Sequence, residues 1–154
     1  MTFNIALCAG SPYPPNAYVI PNHYRPTANA ALILSVDPLA GALIGAAVEL
    51  AGVPPAFAGK DESPRAALRR VRPAYVLLSF DAPALHDEAF LGPAMMTGAR
   101  LFLFGSERTI KLLESHIARY QLGVVVLPRD VEKLREILTA TSESSRRPRE
   151  TTAP

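Results

Sequence analysis

Residues 72–83 decide the fold, and they read Arg72-Pro73-Ala74-Tyr75-Val76-Leu77-Leu78-Ser79-Phe80-Asp81-Ala82-Pro83. Pro73 ends any preceding helix, because the residue before a proline is pushed out of the helical region. The apolar run 74–78 is too short for a buried helix, and its residues favour a strand buried on both faces. Such strands lie in parallel sheets with helices on both sides, where ligands bind just beyond the carboxyl ends of the strands. Ser79, Phe80 and Asp81 therefore stand where a reactive group would be placed.

The same alternation of apolar runs and helical periods continues on both sides of this stretch. The predicted strands are 31–34, 56–58, 74–78, 101–104 and 124–127. The predicted helices are 38–51, 64–72, 87–91, 107–120 and 130–140. Asp37-Pro38 and Ser63-Pro64 each combine a helix N-cap with a proline in the first turn. Five strands alternating with five helices predict a doubly wound, parallel α/β sheet.

The helical periods also predict which side chains are buried. In helix 38–51 the spacing of four, three and four predicts a core-facing stripe of Leu39, Leu43, Ala46 or Ala47, and Leu50. In helix 107–120 the predicted stripe is Ile110, Leu113, Ile117 and Tyr120, which leaves His116 as a surface histidine that is not a ligand. Gly92-Pro93 is predicted to interrupt the short helix 87–91, and Met95-Met96 to fill the core.

Composition limits the classes of function. The net charge is +2, and residues 31–138 hold 12 basic and 12 acidic side chains. The absence of net charge on residues 31–138 argues against nucleic-acid binding, which needs a basic face. The single cysteine, Cys8, excludes an internal disulfide and fits a reducing compartment. The longest apolar stretch, 38–48, is too short to span a bilayer, and residues 1–10 lack the positive start of a signal peptide. A soluble, cytoplasmic protein without a membrane partner is expected.

The ends of the chain differ from the middle. Residues 1–30 contain five prolines and three of the five tyrosines. We interpret them as an extended arm that lays its aromatic side chains on the domain; a proline-rich segment that binds a partner is the alternative. Residues 141–154 are rich in serine and charge, and they predict a disordered tail. The chain therefore divides into an arm (1–30), a domain (31–140) and a tail (141–154).

Three segments within 31–140 resemble the receiver domain of bacterial response regulators. Leu32-Ile33-Leu34-Ser35-Val36-Asp37-Pro38-Leu39 resembles the first strand of that family and the acidic cluster after it. The stretch 72–79 resembles its third strand, and Val124-Val125-Val126-Leu127-Pro128-Arg129 its fifth strand, which ends in Lys-Pro. The resemblance implies a flavodoxin-like sheet with the strand order 2-1-3-4-5.

The resemblance also implies a chemistry, phosphoryl transfer onto an aspartate. Two acidic residues and the acceptor aspartate hold Mg²⁺, while a lysine and a hydroxyl group orient the phosphoryl oxygens. The matching positions here carry Ser35 and Val36 for the acidic pair, Ser79 for the acceptor, Gly105 for the hydroxyl and Leu127 for the lysine. A shift of one residue would place Ser106 at the hydroxyl position. The sequence therefore predicts a pseudo-receiver that is not an enzyme and holds no metal or cofactor.

Two alternatives depend on aspartates beside these positions. Asp37 and Asp81 each lie two residues beyond a vacated position, about 6.5 Å further along an extended strand. They could form a displaced cation or phosphate site, with Asp81 as a retained phosphoacceptor. The second alternative is a sensor of a nucleotide or phosphometabolite. Its crevice would consist of Ser35, Asp37, Ser79, Asp81 and Ser106.

The leading hypothesis is a signalling or scaffold module that binds proteins. In receivers, the face made by helix four, strand five and helix five carries the dimer and output contacts, and residues 107–140 would form it here. The candidate contact residues are Lys111, Leu112, Glu114, Arg119, Arg129, Lys133 and Arg135. Without a phosphorylation switch, constitutive association with a protein partner or a second copy is expected.

Overall fold

A computed structural model of the chain describes residues 29–146, with side chains through Glu143. The predicted arm, apart from Asn29 and Ala30, and the tail beyond Arg146 lie outside the described residues. The strands are β1 (Ala31–Leu34), β2 (Pro55–Phe57), β3 (Tyr75–Ser79), β4 (Arg100–Gly105) and β5 (Gly123–Val126). The helices are α1 (Pro38–Leu50), α2 (Pro64–Val71), α3 (Glu88–Met96), α4 (Glu107–Leu112), α5 (Glu114–Tyr120) and α6 (Val131–Arg146), and a 3₁₀-helix spans Pro83–His86.

The five strands form one parallel sheet in the order β2-β1-β3-β4-β5. This order confirms the predicted doubly wound, flavodoxin-like fold. β3 lies at the centre, and all five of its residues are buried. Leu78 pairs with Leu34 on one side and with Leu103 on the other, so the strands end close together at one edge of the sheet. Within residues 29–146, no helix has both the length and the apolar character needed to cross a membrane.

Helices cover both faces of the sheet, as the apolar run of β3 predicts. Tyr75 and Leu77 pack with α1 and α6 on one face, whereas Val76 and Leu78 pack with α2, α3, α4 and α5 on the other. This alternation follows the two-residue period of a strand. Burying a large apolar side chain contributes about 1.5–3 kcal/mol, so a strand buried on both faces stabilises the fold strongly.

Helix α1 begins as predicted but buries a different face. The Asp37 carboxylate accepts a hydrogen bond from the Leu39 backbone N–H at 2.9 Å, which confirms the N-cap. The predicted stripe is wrong, because Leu39, Leu43 and Leu50 are exposed. The buried residues are Gly41, Ile44, Gly45, Ala47 and Val48. Apolar residues surround this helix on all sides, so their spacing could not identify the inner face.

The two glycines of α1 explain which face turns inward. A Cβ atom on Gly45 would stand 2.9 Å from Cζ of Phe57, and one on Gly41 would stand 3.3 Å from Cβ of Ser35. Only a residue without a side chain lets the helix backbone approach β2 and the end of β1 this closely. This close packing places the glycine side against the sheet and leaves the leucines outside.

Helix α3 continues through Gly92-Pro93, so the predicted interruption is wrong. A proline inside a helix costs about 3 kcal/mol. Burial of Phe90 and Leu91 before the proline and of Ala94 after it offsets that cost. Met95 and Met96 are exposed, so the prediction that they fill the core is also wrong.

The predicted helix 107–120 is divided into α4 and α5 at Leu113, whose φ and ψ are −109° and 13°. The predicted stripe is confirmed, because Ile110 is buried and Leu113, Ile117 and Tyr120 pack against the same core. His116 is half-buried and its Nε2–H donates to the Leu85 carbonyl oxygen. The prediction of a surface histidine is therefore wrong.

Helix α6 continues to Arg146 and so includes residues 141–146 of the predicted tail. Contacts with the amino end of the sheet account for the extension. The Asn29 side-chain amide donates to the Ser142 hydroxyl at 3.3 Å, and Ser142 is buried. Arg100 Nη1 donates to the Thr141 hydroxyl at 3.4 Å. These contacts join residues that are far apart in the chain, so the composition of residues 141–154 alone could not predict them.

Candidate functional site

A small cavity of about 110 Å³ lies at the carboxyl edge of the sheet. It is lined by Asp37, Ala40, Ser79, Phe80, Asp81, Phe104, Gly105 and Leu127. The strand register explains this grouping, because Ser79 pairs with Phe104 and Gly105 pairs with Val126. The structure therefore brings together three of the five positions that the receiver resemblance singled out, and it adds both aspartates.

The other two positions face a neighbouring cavity of about 200 Å³. Ser35 and Val36 line it together with Ile33, Leu34, Phe57, Ala58, Pro64, Ala82, Pro83 and Ala84. The Ser35 hydroxyl donates to the Asp37 carbonyl oxygen at 2.8 Å, so it serves the turn into α1. This second cavity has no charged residue in its lining.

Ser106 lines neither of these two cavities. It caps α4 instead: its side chain accepts from the Thr109 backbone N–H at 3.4 Å and lies 2.7 Å from the Thr109 hydroxyl. The five residues of the predicted sensor crevice are thus divided. Asp37, Ser79 and Asp81 share one cavity, Ser35 lines the next, and Ser106 belongs to the start of a helix.

The Ser79 hydroxyl is buried and donates to a carboxylate oxygen of Asp81, two residues further on. This bond satisfies the buried hydroxyl group within its own loop. A serine becomes a nucleophile when a neighbouring base removes its proton, and the usual partner is an imidazole or an amine. No histidine or lysine is among the residues that line this cavity.

Phe80 fills the space beside Gly105. A Cβ atom on Gly105 would stand 3.1 Å from Cδ1 of Phe80 and 3.3 Å from the Thr109 hydroxyl oxygen. A serine or threonine at position 105 would therefore need the aromatic ring to move. Leu127, at the lysine position, adds a second apolar wall, and its backbone N–H donates to the Gly105 carbonyl oxygen at 2.8 Å. The Leu127–Pro128 peptide bond is cis.

The cavity has two ionisable groups, Asp37 and Asp81. One oxygen of Asp37 accepts from the Leu39 N–H, and one of Asp81 accepts from Ser79. Among residues 29–146, no three or more histidine, cysteine, aspartate or glutamate side chains are grouped so that they could hold a metal ion. A displaced cation would therefore have two carboxylates here and would depend on water for its remaining ligands.

The arginines of α2, Arg65, Arg69 and Arg70, are exposed, and Arg70 binds a carboxylate. Its Nε and Nη2 donate to the two oxygens of Glu62, each at 2.7 Å. The hydrogen bonds from Arg70 are the main cause that lowers the pKa of Glu62 to about 2. The second cause is the hydrogen bond that the same carboxylate accepts from the Gly59 N–H. Arg70 Nη2 also donates to the Phe57 carbonyl oxygen at 3.0 Å. Arg70 therefore holds the end of β2 against α2.

Asp130 protects part of the outer edge of β5. Its carboxylate accepts from the Val126 N–H at 3.1 Å, and its own N–H donates to the Val126 carbonyl oxygen at 2.7 Å. The Val126 bond, followed by that from Arg129, lowers the pKa of Asp130. An edge strand with its outward N–H satisfied in this way is a poor template for another strand.

The predicted interface residues flank this edge strand on both sides. Lys111, Leu112, Glu114, Arg119, Arg129 and Lys133 are exposed, and Arg135 is partly exposed. Three of them form surface ion pairs: Arg119 with Glu88 at 2.8 Å, Arg129 with Asp130 at 3.3 Å, and Arg135 with Glu132 at 2.8 Å. Leu112 is 77% exposed beside Lys111, where α4 ends.

One feature of the surface has no signal in the sequence pattern, and another has a single one. The contact of Phe80 with Gly105 depends on two strands that meet only in the folded sheet, and no local signal announces it. The exposed leucines of α1 do have one signal in the sequence. Glu49, the single charged residue among the 13 residues of the helix, is exposed like the leucines and indicates which side of the helix faces outward.

Comparison of the chain with protein-family models, curated proteins and solved structures found no match. The fold and the described side chains are therefore the basis for a functional proposal.

Proposed function

We propose that the chain is a receiver-like module that binds a protein partner or a second copy through the surface of residues 107–140, without phosphorylation. Lys111, Leu112, Glu114, Arg119, Arg129, Lys133 and Arg135 supply its contacts. The fold supports this proposal, since the sheet order is that of a flavodoxin-like domain. In this proposal the protein is an adaptor and not an enzyme.

The make-up of the carboxyl edge argues against phosphoryl transfer. That reaction needs cationic groups or metal ions around the transferred oxygens. The positions of the resemblance carry Ser79, Gly105 and Leu127 instead, and the Phe80 ring lies beside Gly105. A cavity of about 110 Å³ is also smaller than the roughly 300–1,000 Å³ of ordinary ligand pockets.

The exposure of Leu112 is the observation that carries the proposal. A single exposed leucine is normal on a protein surface. Leu112, however, stands on the predicted contact face with the exposed residues Lys111 and Glu114 close in sequence, and its own solvent exposure is 77%. An apolar residue at the centre with polar residues at the rim is a common arrangement of a protein interface.

The edge of β5 indicates how a partner would bind. The bond between Asp130 and the Val126 N–H leaves that part of the strand without a free donor. A partner would therefore contact side chains of α4, α5 and α6 and would not extend the sheet as a sixth strand.

Replacement of Leu112 tests the proposal. We expect the wild-type protein to self-associate in light scattering, or to retain a partner in affinity capture, and Leu112→Glu to weaken that interaction about tenfold or more. Met96→Glu is the matched control, because Met96 is 72% exposed on α3, outside this surface. A strict monomer that captures no partner, or equal effects of the two replacements, would contradict the proposal.

A small-ligand sensor is the second candidate, because Asp37, Ser79 and Asp81 share one cavity. Its volume suits an ion or a few water molecules better than a nucleotide. A thermal-shift screen with nucleotides and phosphometabolites separates the two candidates. Stabilisation by one of these ligands that Asp81→Asn abolishes would favour the sensor over the adaptor.

A further inference from the structure

The outward side of α1 is an apolar surface that no described residue covers. Its exposed positions after the first proline are Leu39, Ala42, Leu43, Ala46, Glu49 and Leu50. Five of these six residues are apolar, and Leu39 and Leu50 are 79% and 73% exposed. A helix that is apolar on all sides is normally buried on all sides. We refer to these six positions as the outer face of α1.

The outer face of α1 differs from the other exposed apolar residues. Leu112 follows Lys111 directly and lies two residues before Glu114, and both charged residues are exposed. On α1 the exposed leucines and Ala46 follow one another at spacings of four, three and four, which places them along one line about 16 Å long. This spacing is typical of helix surfaces that pack against another apolar element.

The polypeptide enters the described domain beside this helix. Asn29 donates to Ser142 of α6, and α6 packs against α1 on the same face of the sheet. The Ala31 N–H donates to the Pro54 carbonyl oxygen at 3.0 Å, four residues after the end of α1. The segment that precedes Asn29 therefore joins the domain close to the Leu50 end of the outer face.

The composition of residues 1–28 matches an apolar surface. Arg25 is their single charged residue. Their large apolar and aromatic side chains are Met1, Phe3, Ile5, Leu7, Tyr13, Tyr18, Val19, Ile20 and Tyr24. Segments that remain unfolded usually combine low hydrophobicity with high net charge, and this segment has neither property.

We propose that residues 1–28 lie across the outer face of α1. Extended chain covers about 3.3 Å per residue, so about five residues span the line of leucines and 28 are ample. A second copy is the competing occupant. A tethered segment reaches an effective concentration on the order of millimolar, which favours it over a separate chain at ordinary protein concentrations.

Limited proteolysis of the full-length chain tests this contact. Chymotrypsin cleaves after tyrosine, and Tyr13, Tyr18 and Tyr24 lie in the segment. We expect these sites to be cut more slowly in the full-length protein than in a synthetic peptide of residues 1–28. Leu39→Glu and Leu50→Glu should each accelerate cleavage about tenfold, whereas Met96→Glu, on α3 and with a similar exposure of 72%, should not. Equal cleavage rates in the peptide, the wild-type chain and all three variants would overturn the proposal.

A second measurement distinguishes the two occupants. Cys8 is the only cysteine, so a nitroxide attached there marks the segment at one point. We expect broadening of the Leu39, Leu43 and Leu50 methyl signals, with the Leu112 methyl signals unaffected. In a mixture of nitroxide-bearing unlabelled chains and isotope-labelled Cys8→Ser chains, the broadening should disappear. Broadening that persists in the mixture would identify a second copy, and no broadening at α1 in either sample would overturn the proposal.

Discussion

Arg70 holds both carboxylate oxygens of Glu62, with Nε to Oε1 and Nη2 to Oε2 each at 2.7 Å. The same guanidinium donates to the Phe57 carbonyl oxygen, and the same carboxylate accepts from the Gly59 N–H. The pair therefore closes the loop between β2 and α2, although the arginine side chain is half exposed.

Glu62→Gln should reduce the free energy of unfolding at neutral pH. It should also make that free energy depend less on pH between about pH 4.5 and pH 2. The pKa of Glu62 is lowered from 4.5 to about 2, mainly by Arg70, so its stabilising contribution is complete above pH 4.5. That contribution is lost as the pH falls towards 2. Urea unfolding at intervals between pH 7 and pH 2 measures the difference between wild type and variant.

Asp61→Asn is the matched control, since Asp61 is exposed and adjacent in sequence. The wild-type and Glu62→Gln curves should converge as the pH approaches 2, whereas the Asp61→Asn curve should follow the wild type. A constant gap between the wild type and Glu62→Gln at every pH would contradict the role assigned to the ion pair.

Gly123→Ala should destabilise the fold by about 1–3 kcal/mol. A Cβ atom on Gly123 would overlap Cδ1 of Phe102, a buried residue of β4 that packs with α1 and α6. The ring would have to shift within a packed core. Chemical denaturation gives the free energy of unfolding.

The control for Gly123→Ala is Gly92→Ala in α3, where a Cβ atom would meet nothing within 4 Å. We expect that replacement to change the free energy of unfolding by less than about 0.5 kcal/mol, because the preference of alanine for a helix is opposed by the clash between its side chain and the ring of Pro93. If both replacements had the same effect, the contact at Phe102 would not be the cause.

Pro93→Ala should raise the free energy of unfolding. The proline interrupts the hydrogen bonds of α3, and alanine would restore the missing backbone donor. The gain of about 3 kcal/mol in helix propensity is partly offset by the greater freedom of the unfolded chain, so an increase of about 1–2 kcal/mol is expected. A decrease measured by thermal and urea unfolding would show that the proline ring itself contributes to packing.

Ser79→Asp should destabilise the protein, and more so as the pH rises. The new carboxylate would be buried at the cavity that Asp37 and Asp81 line, so its folded-state pKa would lie above its unfolded value. A pKa raised by about two units corresponds to about 3 kcal/mol at pH 8, and less at pH 5. Thermal unfolding at both pH values tests this, with Ser79→Asn as the uncharged control.

If Ser79→Asp were as stable as Ser79→Asn at pH 8, the cavity would hold more compensating charge than its described lining provides. The wild-type protein that serves as the reference can also be incubated with acetyl phosphate and Mg²⁺, after which its intact mass is measured. Under the adaptor proposal, no phosphate is added to the wild-type chain.

The strands of the sheet can be predicted from the sequence because each one is encoded by a short run of neighbouring residues. Pro73 and the apolar run after it identify β3, and burial on both faces accounts for an apolar run without polar alternation. The meeting of Ser79, Gly105 and Leu127 at one edge also follows from the strand order. These conclusions need only the order of elements and the rule that parallel strands end together.

The remaining errors arise where contacts between distant residues decide the outcome. Which face of α1 is buried depends on how closely Gly45 approaches Phe57. The spacing of apolar residues along the helix gives no information about that contact. His116 is half-buried because Leu85, 31 residues earlier, offers its carbonyl oxygen. The extension of α6 depends on Asn29 and Arg100 in the same way.

The contact between Phe80 and Gly105 also constrains the order in which this surface can change by substitution. A hydroxyl side chain at position 105 collides with the ring unless residue 80 has already become smaller or has moved. Mutational routes that begin at position 105 therefore require the Phe80 ring to shift by a few tenths of an ångström, while routes that begin with a smaller residue at position 80 do not. A library that varies both positions together should recover tolerated pairs that stepwise scanning of position 105 alone would miss.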